Sequence, residues 1–310
     1  GVCPNIREIV RLAHGAGMRV LVDEAHGTHF YFSDDLPASA MEAGADMAAV
    51  SLHKTGGSLT QSSLLLLGPE MREEAGYVHQ IINLTQTTSA SYLLLSSLDI
   101  TRRNLALRGK ETYKRVIDYA DYARCEINEL EGYYAFGAER CDGDAFYAFD
   151  SCKLPVHTRA MGLSGFEVYD ILRDDYSIQV EFGDMGNFLA ILSVGDRSVA
   201  IERLIAALGD INTRFALLPE GMLVNEYIEP ILAMAPTEAF YANYVRMPLE
   251  ECKGRISTES IMCYPPGIPI LAPGELVTDE VLTYIRQAKE HGSQMTGTED
   301  PTVEQLCVVK

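Results

Sequence analysis

Apolar positions recur at helical spacing over residues 4–16, where Ile6, Ile9, Val10 and Ala13 share a face and Gly15 and Gly17 end the run. Val20, Leu21 and Val22 follow without interruption, the pattern of a strand buried on both faces. A helix over 37–43 and a strand over 46–51 complete an αβαβ alternation, which predicts a parallel sheet with helices on its faces. Gly56-Gly57 predicts a flexible turn, residues 60–67 a further strand and residues 69–79 a helix. Helical periodicity over 90–107 and again over 110–130, with Gly109 between, predicts two long helices leading out of this first domain.

Beyond Tyr133 the texture changes. Residues 145–149, 178–181 and 188–194 read as short strands, and residues 164–173 and 199–215 as helices, an α+β arrangement. Residues 219–236 form a proline-marked connector. The remainder reads as irregular until a helix over 279–291, with Val281, Leu282 and Ile285 on one face. The pattern divides the chain into 1–110, 111–218 and 219–310, with no internal repeat.

Composition narrows the class. The 310 residues are 47% hydrophobic and 22% charged, an ordinary globular balance able to fill two modest cores. No apolar run approaches the length of a membrane span. No basic, apolar leader precedes the first helix, and the chain, which does not begin with Met, reads as starting inside a domain. The seven cysteines are scattered, odd in number and never spaced Cys-x-x-Cys. That argues against a disulfide framework or a zinc site and for a reducing cytoplasm. A net charge of −19 opposes nucleic-acid binding and is compatible with a cationic substrate, although most of it is solvated.

The chemistry concentrates at two strand ends. Asp23 closes the first apolar run, and Lys54 follows the second within Ser51-Leu52-His53-Lys54-Thr55. Singly, each has a plain reading: Lys54 a solvated surface charge, Asp23 a helix cap or ion pair. Together they stand at one edge of one sheet, a strand-helix-strand step apart, where open α/β sheets bind ligands. A pyridoxal phosphate (PLP) ring fits between such groups, its aldehyde carbon on the lysine and its ring nitrogen on the carboxylate. The adjacent negative charge favours the protonated nitrogen, which is the stronger electron sink.

Asp23-Glu24-Ala25-His26-Gly27, Ser51-Leu52-His53-Lys54, Thr88-Ser89-Ala90-Ser91-Tyr92 and Pro265-Pro266-Gly267-Ile268-Pro269 resemble, in order, the signatures of the Orn/Lys/Arg decarboxylases. The resemblance implies an α/β fold: part of a PLP-dependent transferase-like (fold type I) large domain with a parallel-rich sheet, followed by α+β C-terminal domains. It implies PLP as cofactor, held by Lys54, with Asp23 on the ring nitrogen, Ala25 on the ring and His26 nearby. Ser51 and His53 would contact the phosphate, and Thr88 and Ser89 would lie near the phosphate or a subunit interface. It further implies a basic amino acid substrate (arginine, lysine or ornithine), a role in polyamine biosynthesis and a homodimer or higher homo-oligomer. His53 and Lys54 are the candidates for proton donor. Ala90 replaces the proline usual in its motif, and the family's phosphate-binding loop and stacking residue are not found, so the chain reads as a C-terminal portion.

Three other readings compete. Asp23-Glu24-Ala25-His26 also spells the metal-binding box of one helicase class, but no helicase pattern follows and the acidity opposes it. An aminotransferase or lyase on the same fold is the nearer rival, since fold does not choose a reaction. A catalytically silent homologue or assembly module is the third, and the presence of both Lys54 and Asp23 argues against it. His14 and His79 read as helix-surface residues, His157 and His291 lie in no motif, and Cys263 reads as a packed thiol.

Overall fold

The computed structural model describes residues 1–215, 228–264, 267–290 and 292–310. The connector over 219–227, Pro265-Pro266 and His291 lie outside the described residues. The chain forms two compact units: one of residues 1–129, 135–155 and 191–205, the other of residues 130–134, 156–190 and 206–310.

In the first unit, strand β1 (Val2–Cys3) leads into helix α1 (Ile6–Gly15), whose first turn is capped by Asn5 accepting from the Glu8 amide at 3.1 Å. Strand β2 (Leu21–Asp23) pairs in parallel with β3 (Met47–Val50), Asp23 opposite Ala49. Strand β4 (Leu64–Leu67) closes the three-stranded sheet antiparallel to β3. Val10, Val20, Ala48, Val50 and Leu52 bury together beneath it. The one-turn helix α2 (Leu52–Thr55) follows β3 directly, and α3 (Ala75–Thr85) and α4 (Tyr92–Asn128) complete the set of longer helices.

Five local expectations are corrected here. Leu21 is 64% exposed, so β2 is not covered on both faces. Residues 37–39 are irregular and residues 40–43 form turns instead of a helix, with the Ala40 amide donating to the Glu24 carboxylate (2.8 Å). The fourth strand is confined to Leu64–Leu67, and residues 69–79 hold a short 3₁₀ turn followed by the start of α3. The break expected at Gly109 is absent. A side chain there would run into the Phe32 ring, so glycine admits the ring while α4 continues unbroken.

The second unit carries helix α5 (Gly165–Tyr176), opened by a reciprocal Ser164–Glu167 capping box. The strand expected over 178–181 is found instead at Phe182–Gly183, paired antiparallel with Asn187–Ile191. Ser177, at φ 52°, ends α5, and the Ile178 amide folds back onto Leu172 O, which postpones the strand. A helix covers Ser198–Phe215, as expected. The region expected to be irregular holds β-structure: Tyr244–Pro248 pairs with Gln305–Val309, and Ile261–Tyr264 pairs with both Ile268–Leu271 and Gln294–Thr296. These strands and the helix Asp279–Glu290 bury Ile261, Leu271, Ile285 and Leu306 in one core.

Candidate active site

The parallel β2–β3 pair brings the two chemical strand ends side by side. Asp23, last in β2, is solvent-exposed, and its Oδ1 accepts from the Ala25 amide (3.1 Å), turning the chain so that Ala25 and His26 cross the strand end. Lys54, also exposed, lies in the single turn of α2.

Three bonds fix that turn. Thr28 Oγ1 donates to Ser51 O (3.2 Å), His53 Nδ1 donates to Ser62 O (2.9 Å), and the buried Tyr113 hydroxyl of α4 donates to Thr55 O (3.0 Å). The His53 bond places the proton of the neutral ring on Nδ1 and leaves Nε2 an acceptor. Gly56 follows because a side chain there would meet Leu52 O at 2.8 Å.

Lys54 Nζ lies 3.2 Å from His26 Nε2, and among the described residues no carboxylate forms an ion pair with it. With Lys54 donating, the neutral His26 ring carries its proton on Nδ1, a buried atom with no partner among the described residues. Burial, then the charges of Lys54 and Lys153, push His26 down to about 4, so the ring stays neutral through ordinary pH. Beside it lies a cavity of about 340 Å³ whose wall includes Asp23, Glu24, His26, Asp150 and Lys153.

Glu24 faces inward. Its carboxylate accepts from the Tyr31 hydroxyl and the Ala40 amide, which makes it a clamp on the 37–43 segment. A second buried group went unread in the sequence. Asp150 accepts from His29 Nε2 (2.8 Å), Lys153 Nζ (2.8 Å) and the Cys152 amide (3.0 Å); against the cost of burial, His29 and Lys153 hold its carboxyl far below the usual range. Asp150 follows residues 148–149, which pair antiparallel with β1. The signal available was the i, i+3 spacing of Asp150 and Lys153 after an apolar run, and a second histidine, His29, three residues beyond His26.

Of the residues expected to form the site, Asp23, Ala25, His26, Ser51, His53 and Lys54 gather at the β2–β3 edge. Thr88 and Ser89 stand in the exposed link between α3 and α4, where the Ser89 amide bonds only locally, to Thr87. The residues present fit a PLP ring. An exposed carboxylate ends β2, a primary amine with no carboxylate partner among the described residues follows β3, and the buried Nδ1 of the His26 ring beside that amine lacks an acceptor among the described residues.

Residues 1–199 match the major domain of the Orn/Lys/Arg decarboxylases, and residues 222–303 match the C-terminal domain of the same family. The chain belongs to the Orn/Lys/Arg decarboxylase family. The arginine decarboxylase of Bacillus subtilis is 42% identical over 319 residues, which cover all of this chain and 64% of the relative. The chain thus spans somewhat less than two thirds of that relative's length. Among solved structures, lysine decarboxylase A from Pseudomonas aeruginosa superposes with a TM-score of 0.77 at 18% identity, covering 100% of this chain and 56% of the other. The cysteine desulfurase CsdA from Escherichia coli gives 0.51 at 18%, covering 70% and 57%. The α/β fold is of the fold type I, PLP-dependent transferase-like class, as the motifs implied.

Proposed function

We propose that this chain is part of a PLP-dependent decarboxylase that converts a basic amino acid to its amine and carbon dioxide. The observation that carries the reading is the junction at the β2–β3 edge: Asp23 ends one strand, and Lys54 follows the next with Nζ on a neutral His26. Lys54 would supply the amine that holds the cofactor. Asp23 would keep a proton on the ring nitrogen, Ala25 and His26 would lie against the ring, and Ser51 and His53 would contact the phosphate. When bound, PLP supplies the sink for the electron pair released as carbon dioxide leaves. His53 or Lys54 returns the proton. Kinship with an arginine decarboxylase makes arginine the first substrate to try, ahead of lysine and ornithine.

The assembly is a cytoplasmic homodimer or larger homo-oligomer, with Thr88 and Ser89 near the cofactor phosphate or the subunit interface. The surface of α3 and the start of α4 supports that reading. No residue of α3 is buried, and Tyr77, Leu84, Tyr92 and Leu93 are 66%, 74%, 85% and 69% exposed. An apolar face of that kind wants a cover.

The test is to add PLP to the whole protein, reduce with borohydride and map the modified peptide, while assaying carbon dioxide release from the three amino acids. A pyridoxyl group confined to Lys54, with release from one of them, is the expected result. Modification elsewhere, or none, removes the reading.

A further inference from the structure

We propose that Tyr113 is a positioning residue for Lys54: it supplies the donor that the turn carrying Lys54 lacks in its own backbone, and so fixes where the amine stands against His26. The bearing on catalysis rests on the function proposed above; the placement itself does not.

The need arises in the backbone. Helix α2 is a single turn, and a turn that short does not sustain itself. Its last carbonyls run out of helical partners. Leu52 O accepts from the Gly56 amide (2.9 Å), but the chain then leaves the helix at Gly57, whose φ of 91° is left-handed. The amide that would close the following turn onto Thr55 O is that of Leu59, and it donates instead to Ser97 Oγ of α4 (2.8 Å). Thr55 O is left to the Tyr113 hydroxyl (3.0 Å), further along the same helix and its one donor among the described residues. Thr55 is buried, so without that hydroxyl its carbonyl would stand unbonded and away from water.

Tyr113 is built to hold still. It is 1% exposed, its ring stacks on Phe32 (centroids 6.4 Å apart, planes at 24°), and it lies 5.6 Å from the His29 ring. Phe32 and His29 belong to the 3₁₀ turn Thr28–Phe32, and the first residue of that turn grips the other end of α2. Thr28 Oγ1 donates to Ser51 O (3.2 Å), the carbonyl that also accepts the amide of Lys54 itself (3.1 Å). Lys54 thus stands between two clamped carbonyls, Ser51 O before it and Thr55 O after it. Beyond that frame, only the 3.2 Å contact with His26 Nε2 places its amine.

The deciding measurement is NMR of the whole, cofactor-free protein labelled with ¹⁵N at histidine, which stands apart from whether PLP binds. Lys54→Met, with no donor for His26, calibrates the unbonded position of the Nε2 resonance. Tyr113→Phe keeps the packed ring and removes only the hydroxyl; the His26 Nε2 resonance moves more than half of the way to that unbonded position. Ile127→Ala, a buried change far along α4, lowers the denaturation midpoint at least as much and leaves the resonance where it was. With PLP added, borohydride capture at Lys54 slows by roughly tenfold in Tyr113→Phe.

The proposal is overturned if Tyr113→Phe leaves the His26 resonance in place, or if Ile127→Ala moves it equally, as a merely structural role would have it. Should Tyr113→Phe fail to fold, the unmodified protein still decides: a His26 resonance identical to that of Lys54→Met ends the proposal. Failure of the unmodified protein to capture PLP at Lys54 would count against the proposed function alone, and the NMR comparison would still decide the role of Tyr113.

Discussion

Lys54 and His26 meet at 3.2 Å although 27 residues separate them in sequence, because β2 and β3 run parallel and end at the same edge. The meeting gives the lysine a neutral acceptor in place of the carboxylate that would have neutralised it.

Lys54→Ala removes the amine. In the whole protein, turnover falls by at least ~10³-fold, the scale on which a covalent nucleophile is missed, and no pyridoxyl peptide is trapped by borohydride. Stability changes by no more than about 0.5 kcal/mol in urea denaturation, since the side chain is exposed. Retained turnover removes Lys54 from the mechanism.

Asp23→Asn isolates the charge at the ring nitrogen. Asparagine keeps an oxygen to accept from the Ala25 amide, so the strand end holds its shape. The expected result is a turnover slower by about 10²–10³-fold, with capture of PLP at Lys54 preserved. An unchanged rate constant would take Asp23 out of its assigned role.

Gly56→Ala tests how tightly α2 is held. The added methyl carbon would sit 2.8 Å from Leu52 O and 3.0 Å from Thr28 Cγ2, both part of the frame that places Lys54. Urea denaturation should show a loss of about 1–3 kcal/mol, and PLP capture should slow in parallel. A variant as stable as the parent would mean that this turn adjusts freely.

Glu24 sets a pH dependence of stability. Burial raises its pKa above the ordinary 4.5, and the bonds from Tyr31 and the Ala40 amide only partly oppose that rise. The folded state therefore holds the Glu24 proton more tightly than the unfolded chain does. Its contribution is present in full below 4.5 and is lost as pH rises through the raised value. Glu24→Gln should flatten this slope in denaturation curves taken from pH 4.5 upward. An identical slope in both proteins would place the raised value elsewhere.

Much of the site was legible because it rests on local pattern. A short apolar run ending in Asp23 and another leading to Lys54 are strand ends, and two such ends joined by a crossover face the same edge. The ordered motifs then implied the family, which the whole-domain matches bear out. The helices at Ile6–Gly15, Ser198–Phe215 and Asp279–Glu290 were legible for the same reason: one face of each supplies its own periodic signal.

What stayed hidden depends on partners distant in sequence. Tyr244–Pro248 is a strand because Gln305–Val309 lies beside it, and neither stretch shows this alone. Gly109 stands inside a helix because Phe32 fills the space above it. Asp150 is buried because His29, 121 residues earlier, and Lys153 both donate to it. The order of residues makes plain which residue types stand at the two strand ends. Only the tertiary structure decided which charges are desolvated and which face one another, because those depend on distance and burial in three dimensions, to which the order of residues gives no direct measure.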